Sequence, residues 1–549
     1  MATDLSASQD LWDYVPEDLR IRYDELCVSI PNAVRMGGRA YGDAEAIVDG
    51  DLRLTFAELD EAMIDTVRAM MALGIGPGDR VALWAPNCGP WILAALGIQG
   101  AGGILVPVNT RFKGEEAAYI LDKSGASALV VANDFLDNDY VGMLRAAAPD
   151  TRVLEPGRVV AALGEAREGE VSWADFIEAG RAVSRDDAIA SIEAVTSDTV
   201  SDIMFTSGTT GHPKGVMLTH GQSLRAHGWL AKVMEYRAGD RYLIIPPFFH
   251  TFGYKAGWMA CIVHGVTIVP QAVFTVDEVL RMIEQEKISI LLGPPTLFQG
   301  VLDSPHRASH DLGSLRVTMA SSTTVPPGLV DRMRAELGAE VTHTAYGLTE
   351  GTSLSTTTFP RIDSLEDIVT TVGRPAWDVE IKIVDDHDQE VPRGTPGELF
   401  IRGFSVMQGY WEDPEKTAEA VTPDGWLRSG DIGVMDERGF IRITDRKKDV
   451  IIVGGFNVYP AEVERILGDH PDVESIAVVG AFDERLGEVP VAFVVARPES
   501  ALTSEEFLGW ARDHIANFKA PRQAILIDEL PRNASAKVLK SALRATLNS

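Results

Sequence analysis

The sequence predicts an α/β fold, in which a large N-terminal domain of layered sheets and helices precedes a small α+β C-terminal domain. With 549 residues the chain exceeds the size at which one hydrophobic core stops growing, so at least two domains are expected. Strand-like and helix-like segments alternate through the first half, which is typical of layered α/β domains. From about Arg446 onwards the pattern changes, and the remaining length suits a compact domain of about 100 residues.

The alternation is clearest after residue 75. A Gly-Pro-Gly-Asp turn at 76–79 introduces a predicted strand at 80–84, and a predicted helix follows at 91–100. Further N-terminal strands are predicted at 104–108, 128–131, 203–205 and 290–292, and a further helix at 276–286. In the C-terminal part we predict strands at 450–453, 476–479 and 489–495, a helix opened by Pro460 and a helix at 504–515.

Composition and charge favour a cytoplasmic globular protein. Hydrophobic residues make up 45% of the chain and charged residues 24%, which are ordinary values for a globular domain. The 50 basic and 80 acidic residues give a net charge of −30, which argues against nucleic acid and anionic membranes as partners. Cys27, Cys88 and Cys261 are odd in number and follow no metal-ligand spacing, so a reducing compartment is expected.

The chain shows no pattern for stable membrane insertion. No basic segment followed by an apolar core stands at the N-terminus, so no secretory signal is expected. The most apolar region, 242–270, is interrupted by prolines, histidines and a lysine, which a membrane-spanning helix would hardly tolerate. We expect this region to be buried around a site. The sequence leaves a homodimer open.

Residues 206–215 read Thr-Ser-Gly-Thr-Thr-Gly-His-Pro-Lys-Gly. Such a loop suits phosphate, because glycine lets backbone N–H groups turn inward, hydroxyls add donors and Lys214 adds a positive charge. No glycine stands directly before Lys214, so the loop does not match the P-loop of NTPases. The residues predicted to bind phosphate are Thr206, Ser207, Gly208, Thr209, Thr210, Gly211 and Lys214.

Two later segments carry residue types suited to the rest of a nucleotide. In one, the aromatic ring of Tyr346 can stack on a base, and the carboxylate of Glu350 nearby suits Mg²⁺. In the other, Asp431 follows a Ser-Gly turn and could accept two ribose hydroxyls. Each signal is weak by itself, since aspartate is a common turn residue.

Two more segments complete a set of five. A charged run at 444–449, followed by 451–460, lies at the predicted domain junction, and a Pro-rich and small-residue-rich loop ends in Lys537. In this order and spacing the five segments resemble the signature of the adenylate-forming superfamily, which contains acyl-CoA synthetases, luciferases and the adenylation domains of peptide synthetases. The resemblance runs through nearly the whole chain, from residue 78 to Lys537.

The resemblance implies an ATP site. It implies that the 206–215 loop wraps the β- and γ-phosphates and that Tyr346, beside Gly347, stacks on the adenine. It further implies that Thr349 contacts the α-phosphate and that Glu350 places Mg²⁺ together with Thr206. The remaining implied contacts are Asp431 with the ribose hydroxyls, Arg446 alongside it, and Lys537 with the carboxylate and the α-phosphate. The implied catalytic residues are Lys537, Thr206, Glu350 and His250.

The resemblance also implies a two-step reaction with ATP, Mg²⁺ and CoA. A carboxylic acid attacks the α-phosphorus to give acyl-AMP and pyrophosphate, and the thiol of CoA then attacks the acyl carbon. In relatives the small domain is mobile and rotates between the two steps. The implied hinge is 446–450, with Lys448 at its centre, between an N-terminal domain at 1–445 and a C-terminal lid at 451–549. Gly454, Gly455 and Phe456 border the implied path of the thiol.

Two positions depart from the pattern of the superfamily. Residues 320–323 read Ala-Ser-Ser-Thr where relatives carry a Gly-Gly-Ala-Pro-like run against the adenine, so Ser322 is expected to contribute a hydroxyl there. Ala536 stands where a glycine normally precedes the lysine. If that position needs a positive φ, alanine costs on the order of 1 kcal/mol and puts the adenylation step in doubt.

The segment around His250 matches the part of the superfamily in which a histidine gates the acyl pocket. The implied pocket residues are Phe248, Phe249, His250, Phe252, Gly253, Tyr254, Lys255 and Gly351. The sequence here is especially similar to that of actinobacterial ligases for the bicyclic propionate left after degradation of steroid rings A and B. Lys255 could meet a ring keto group or be a solvated lysine.

Several functions remain open at this stage. A ligase for the steroid-derived bicyclic propionate is favoured, and a ligase for medium- or long-chain fatty acids is the alternative. A peptide-synthetase module is disfavoured, because no carrier domain follows Lys537. A luciferase-like oxygenase would share the ATP motifs. A non-catalytic paralogue that binds acyl-adenylate or nucleotide is the rival from another class, and Ala536 is its best argument.

Overall fold

The structure of the protein is a computed structural model. It describes residues 14–20, 28–206, 213–320, 327–453, 456–483, 486–498, 500–515, 517–532 and 537–547.

The chain divides into two compact units, which confirms the predicted α/β architecture with a large N-terminal and a small C-terminal part. The larger unit comprises Met1–Glu380 and Ile401–Leu427, and the smaller comprises Ile381–Phe400 and Arg428–Ser549. This division rests on which residues pack together. The predicted domain boundary at 445/446 separates the residues expected to rotate during the reaction from those expected to stay fixed. It stays a prediction.

The larger unit contains a mostly parallel seven-stranded sheet. In spatial order its strands are Val341–His343, Val317–Ala320, Ile290–Gly293, Arg241–Ile244, Thr267–Pro270, Glu45–Asp49 and Leu52–Thr55. Only the last pair is antiparallel. Because parallel strands share one carboxyl edge, the segments that follow Ile244, Pro270 and Gly293 leave the sheet on the same side, where α/β sheets bind ligands.

A second sheet of the larger unit has eight strands. In spatial order they are Gly409–Tyr410, Lys214–Thr219, Val200–Thr206, Ile104–Pro107, Arg80–Trp84, Ala128–Ala132, Val159–Leu163 and Val171–Ser172. Lys214–Thr219 pairs antiparallel with both of its neighbours, and all the other neighbouring strands pair parallel. A small antiparallel sheet joins Ala345–Tyr346, Thr356–Thr357 and Arg374–Pro375.

Helices cover these sheets. The α-helices of the larger unit are Ile30–Tyr41, Phe56–Ala72, Gly89–Gly100, Gly114–Ser124, Tyr140–Ala147, Trp173–Ala179, Arg185–Ala194, His220–Val233, Thr251–Gly253, Ala260–His264, Val276–Gln285, Pro295–Asp303, Pro327–Leu337, Leu365–Thr370 and Pro414–Ala420. The helix Gly89–Gly100 has eleven of its twelve residues buried and contacts strands of both large sheets. An apolar surface all round is what a helix between two layers requires.

The smaller unit is built on two sheets. The strands Val379–Val384, Gly397–Gly403, Leu427–Met435 and Ile441–Arg446 form a four-stranded sheet, most of whose residues belong to this unit. The other sheet comprises Phe456–Val458, Ile451–Val453, Gly487–Ala496 and Val473–Asp483, with Gln523–Leu526 parallel to Gly487–Ala496. Its α-helices are Pro460–Leu467, Ser504–His514 and Lys540–Leu547.

Within the part of the chain that the structure describes, no helix combines the length and the apolar character needed to cross a membrane. The apolar region at 242–270 consists of a strand, three short helical segments and a second strand, and most of it is buried. The expectation that this region is buried is confirmed.

Candidate active site

The described ends of the phosphate loop lie on two paired strands, the phosphate hairpin. The strands Val200–Thr206 and Lys214–Thr219 run antiparallel and place Thr206 directly opposite Lys214. The two described ends of the loop therefore carry a hydroxyl, from Thr206, and an ammonium, from Lys214, at facing positions of the eight-stranded sheet. The predicted phosphate ligands Ser207, Gly208, Thr209, Thr210 and Gly211 lie outside the described residues.

Tyr410 connects Lys214 with Glu350. The Lys214 ammonium lies 4.7 Å from the centre of the Tyr410 ring, which is the geometry of a cation–π contact. The Tyr410 hydroxyl donates a hydrogen bond of 2.9 Å to Oε1 of Glu350. Burial raises the pKa of Tyr410 and the Glu350 carboxylate raises it further, so the phenol keeps its proton and donates. Lys214, predicted for phosphate, and Glu350, predicted for Mg²⁺, thus meet on one ring.

Tyr410 was not predicted from the sequence. It belongs to a two-residue strand paired with Lys214–Thr219. Two backbone hydrogen bonds also hold the residues around Tyr410 against the Glu350 turn and the phosphate hairpin. The Met407 amide donates to the Glu350 carbonyl at 2.8 Å, and the Trp411 amide donates to the Gly215 carbonyl at 2.7 Å. In the sequence Tyr410 is marked only by a preceding Gly and a following Trp. This local pattern does not indicate that Tyr410 contacts Lys214 and Glu350.

The turn after Tyr346 carries Thr349 and Glu350 and then takes an unusual backbone conformation. Thr352 and Ser353 both have positive φ values, 54° and 58°, which are uncommon for residues with a side chain. Three contacts hold this conformation. Thr352 Oγ1 donates to the Ser405 carbonyl at 2.6 Å, and the Thr352 carbonyl lies 2.8 Å from Nε2 of His227. The third contact joins Ser353 Oγ and Thr251 Oγ1 at 2.5 Å.

Gly347 is required by the same turn. A Cβ at this position would lie 2.2 Å from the backbone carbon of Ser353, so no larger residue fits. Gly351 is buried in the turn, and Tyr346 is half-buried with its carbonyl accepting the Ser355 amide at 2.8 Å. The predicted adenine segment is therefore a rigid structure.

The predicted acyl segment meets this turn through the Thr251–Ser353 contact. His250 precedes the short helix Thr251–Gly253, which continues into a π-helix at Tyr254–Met259. π-helical turns are rare and occur frequently at functional sites. The His250 ring lies 4.8 Å from that of Phe249, and burial lowers the pKa of His250 to about 4. At neutral pH the imidazole is therefore uncharged.

Three residues predicted for the acyl pocket have no surface left for a ligand in this structure. Phe248, Tyr254 and Lys255 are fully buried. The Phe248 ring packs against that of Trp91 at 5.3 Å, and the Tyr254 ring stacks on that of Trp258 at 5.0 Å. Phe252 and His250 are half-buried and keep some exposed surface, while Phe249 and Gly253 are buried. The roles of His250, Phe252 and the other residues implied for the acyl pocket stay predictions.

Lys255 lies in a buried ion pair. Its ammonium lies 2.9 Å from Oδ1 of Asp202 and donates to the Ser223 hydroxyl at 2.8 Å, and both charged side chains are 0% exposed. The alternative of a solvated lysine is wrong, and the ammonium is engaged by Asp202 instead of being held ready for a keto group. Burial lowers the pKa of Lys255, and Asp202 opposes that shift. A partner 53 positions away in sequence could not be read from the local pattern.

In the smaller unit, Asp431 and Arg446 stand directly opposite each other. They belong to the antiparallel strands Leu427–Met435 and Ile441–Arg446, and Asp431 is 7% exposed. The Ser-Gly pair before Asp431, which the sequence indicated to be a turn, lies inside the strand. The pairing brings the two residues predicted for the ribose together at backbone level. The Arg446 side chain lies outside the described residues.

The predicted hinge forms a 3-10 turn, Lys447–Asp449. Nζ of Lys447 lies 3.0 Å from Oε2 of Glu398, and Oδ1 of Asp449 lies 2.6 Å from Nη2 of Arg544. The side chains of Lys448 and Phe456 and the whole of Gly454, Gly455, Ser322 and Ala536 lie outside the described residues. Lys537 is half-buried and belongs to the smaller unit. Its catalytic role stays a prediction.

Glu350 and Thr206 carry oxygens of the chemical type that binds magnesium. Oε1 of Glu350 accepts the Tyr410 hydroxyl, and Oε2 accepts no hydrogen bond from the described residues. Carboxylate and hydroxyl oxygens are the hard ligands that Mg²⁺ prefers, together with phosphates and water. Glu350 and Thr206 offer these two groups.

The chain matches known proteins over most of its length. The model of the AMP-binding enzyme family matches residues 35–411, and that of the AMP-binding enzyme C-terminal domain matches 462–537. A protein of Rhodococcus jostii named 3-[(3aS,4S,7aS)-7a-methyl-1,5-dioxo-octahydro-1H-inden-4-yl]propanoyl:CoA ligase is 44% identical over 95% of this chain and 99% of its own length. A protein of Mycobacterium tuberculosis with the same name is 46% identical over 94% and 98%.

A solved structure shows the same fold. The crystal structure of ATP-bound MatB from Rhodopseudomonas palustris superposes with a TM-score of 0.82 at 27% identity, and the match covers 94% of this chain and 99% of that protein. The family match extends over both the phosphate hairpin and the Glu350 turn. The chain belongs to the family of AMP-binding enzymes.

Proposed function

We propose that the protein is an ATP-dependent, AMP-forming acid–CoA ligase. The observation that carries this proposal is the contact chain Lys214–Tyr410–Glu350, which joins the phosphate hairpin to a carboxylate suited to Mg²⁺. In the first step a carboxylate oxygen bonds to the α-phosphorus of ATP and pyrophosphate leaves. In the second step the thiolate of CoA bonds to the acyl carbon and AMP leaves.

The hairpin and the Glu350 turn serve the first step. Negative charge shifts onto the phosphate oxygens as pyrophosphate leaves, and fixed cations and N–H donors stabilise it. Lys214 supplies a cation at the base of the loop, and the Tyr410 hydroxyl holds Glu350 in one orientation. A bound Mg²⁺ would supply additional positive charge at the phosphates. Thr349, on the same turn as Glu350, is assigned to the α-phosphate and Tyr346 to the adenine.

His250 suits a gate at the acyl site because it is neutral. A cationic imidazole would form an ion pair with the incoming carboxylate, whereas the pKa of about 4 keeps the ring uncharged at neutral pH. The Thr251–Ser353 contact links this residue's segment to the turn that carries Glu350. The acid and the nucleotide would therefore bind against parts of one connected structure.

The smaller unit is assigned the ribose and the lysine. Asp431 accepts the ribose hydroxyls with Arg446 beside it, and Lys537 contacts the carboxylate and α-phosphate during adenylation. Rotation about 446–450, centred on Lys448, then withdraws Lys537 and brings Gly454, Gly455 and Phe456 to the path of the thiol. The movable C-terminal lid is 451–549, and the N-terminal domain is 1–445.

The favoured acid is the steroid-derived bicyclic propionate. Support comes from the two relatives at 44% and 46% identity, which are named as ligases for such an acid. The match covers nearly the whole length of each. A medium- or long-chain fatty acid is the second candidate. A fused-ring acid needs a wide, short pocket and a fatty acid a long, narrow one. A cytoplasmic location and a homodimer remain predictions.

The test is AMP release from ATP and Mg²⁺ with a panel of acids, in the presence and absence of CoA. The panel contains a fused-ring propionate, fatty acids of several lengths and aryl acids. The proposal expects CoA-dependent turnover that is fastest with the fused-ring propionate. Preference for a fatty acid would replace the substrate and keep the ligase. ATP binding without AMP release from any acid would favour the non-catalytic paralogue and make Ala536→Gly the next variant.

A further inference from the structure

Asn87 holds the backbone that leads to His250. It lies in the turn between the strand Arg80–Trp84 and the helix Gly89–Gly100, and it is 5% exposed. Its side chain makes four hydrogen bonds with one segment. Nδ2 donates to the carbonyls of Ile244, Ile245 and Pro246 at 3.1, 3.4 and 2.9 Å, and Oδ1 accepts the Phe248 amide at 2.7 Å.

The segment needs an outside partner because of its prolines. It leaves the seven-stranded sheet at Ile244, and Pro246 and Pro247 have no N–H to offer a neighbouring strand. The Ile244 carbonyl also accepts the Gln271 amide at 3.0 Å, but among the described residues the carbonyls of Ile245 and Pro246 accept only from Asn87. A buried polar group without a partner costs free energy. The Asn87 amide supplies the donors for these carbonyls. Since Asn87 follows a strand of the eight-stranded sheet, one side chain ties that sheet to the exit of the other.

The same segment is confined from its opposite side by Gly253. A Cβ at Gly253 would lie 2.1 Å from the Pro246 carbonyl oxygen and 2.5 Å from that of Pro247, so the two stretches touch backbone to backbone. The His250 amide donates to the Pro247 carbonyl at 3.0 Å and closes the turn. Asn87 and Gly253 therefore hold the Pro246 carbonyl between them, and His250 projects from a backbone with little freedom.

We propose that Asn87 is a positioning residue for the acyl gate. It acts through the backbone of 244–248, which sets where His250 stands, and it does not touch the reacting atoms. This inference rests on the proposed function, because His250 matters to the reaction only if the segment borders the acid. It adds a residue from outside the acyl segment to the determinants of acid binding.

The chain offers a matched control in Asn133. This residue follows the neighbouring strand Ala128–Ala132 of the same sheet and is also 5% exposed. Its Nδ2 donates to the Glu165 carbonyl at 2.9 Å and to Glu170 Oε2 at 2.6 Å, and both partners lie outside the acyl segment. Asn133→Ala reports the cost of removing a buried asparagine from this sheet.

The kinetic test compares Asn87→Ala, Asn87→Asp and Asn133→Ala by acid-dependent ATP–pyrophosphate exchange. Because a small misplacement can cost on the order of 10²-fold, the proposal expects the Asn87 variants to raise the KM for the acid by that order while the KM for ATP stays unchanged. Asn87→Asp keeps the acceptor for the Phe248 amide but turns a carboxylate toward the carbonyls of 244–246, so it should impair acid binding at least as much as Asn87→Ala. Asn133→Ala should leave both KM values unchanged. Equal effects of Asn87→Ala and Asn133→Ala would overturn the proposal.

A double-mutant cycle isolates the route through His250. If Asn87 acts by placing His250, then His250→Ala should add little to the loss already caused by Asn87→Ala. Independent, multiplicative losses would overturn the proposed route.

Amide hydrogen exchange separates this inference from the proposed function, because it needs no substrate. Asn87→Ala should speed exchange of the Phe248 and His250 amides, and Asn133→Ala should not. A wild-type protein that is inactive with every acid, with faster exchange in the Asn87 variant, would refute the ligase and leave the backbone anchor standing. Unchanged exchange in 248–250 would refute the anchor itself.

Discussion

The buried pair of Lys255 and Asp202 predicts a large loss of stability when one partner is removed. Both side chains are 0% exposed, and the Asp202 carboxylate also accepts the Ser201 hydroxyl at 2.7 Å. Lys255→Met keeps an unbranched side chain in the same space and removes the ammonium. The Asp202 carboxylate then stays fully buried without its ammonium partner.

The magnitude follows from the burial. Breaking a buried ion pair by removing one partner typically costs about 3–5 kcal/mol, because the remaining charge stays uncompensated. The double variant Asp202→Leu with Lys255→Met should recover much of that loss, since it leaves no buried charge. As the exposed control, Lys287 pairs with Asp311 at 3.1 Å with side chains 61% and 62% exposed, and Lys287→Met should have little effect.

The assay is urea unfolding followed by tryptophan fluorescence, because Trp91 and Trp258 are fully buried beside Tyr254 and report on this region. The expected order of midpoints is wild type and Lys287→Met highest, the double variant between, and Lys255→Met lowest. Equal midpoints for Lys255→Met and Lys287→Met would refute the argument, since a buried charge pair could not then exist in the folded protein.

The remaining predictions concern the reaction. Tyr410→Phe removes the hydroxyl that orients Glu350, and since hydrogen bonds to charged groups are worth about 1.5–3 kcal/mol, pyrophosphate exchange should fall by roughly one to two orders of magnitude. The pKa of His250 lies below its usual value of 6.5, so protonation begins only as the pH approaches about 4, and the KM for the acid should stay level from about pH 6 to about pH 8. Lys537→Ala should abolish acyl-AMP formation and leave thioester formation from supplied acyl-AMP largely intact.

Each of these predictions has a contrary outcome. Tyr236→Phe is the control for Tyr410→Phe, because the buried Tyr236 hydroxyl has no hydrogen-bond partner among the described residues, and equal kinetics in the two variants would remove the role of Tyr410. A change in the KM for the acid near pH 6.5 that disappears in His250→Gln would contradict the neutral gate. Comparable losses in both half-reactions of Lys537→Ala would end its assignment to adenylation.

Much of the fold could be predicted from local sequence. The strand Arg80–Trp84 matches its predicted bounds, because its start is set by the turn before it and its length by its own apolar run, and both are local in sequence. The predicted strand at 476–479 is only the apolar centre of Val473–Asp483, whose length is set by ten residue pairs with Gly487–Ala496. Polar residues at its ends give no strand signal, so the extension depends on tertiary pairing.

The site was predictable where a residue's role follows from its own segment. Thr206, Lys214 and Glu350 stand in recognisable motifs, and the structure brings the last two onto one ring. Tyr410 and Asn87 were missed, because their partners lie 60 and more than 150 positions away. Lys255 was misplaced for the same reason, since only the fold shows that Asp202 faces it.

The most direct test of the account is ATP–pyrophosphate exchange with the bicyclic propionate in the absence of CoA. A two-step ligase makes acyl-AMP before it meets the thiol, so the account predicts exchange that depends on the acid and on Mg²⁺ and needs no CoA. Exchange should fall in Tyr410→Phe and be abolished in Lys537→Ala. Formation of ADP and phosphate, or no exchange until CoA is added, would contradict the proposed adenylation.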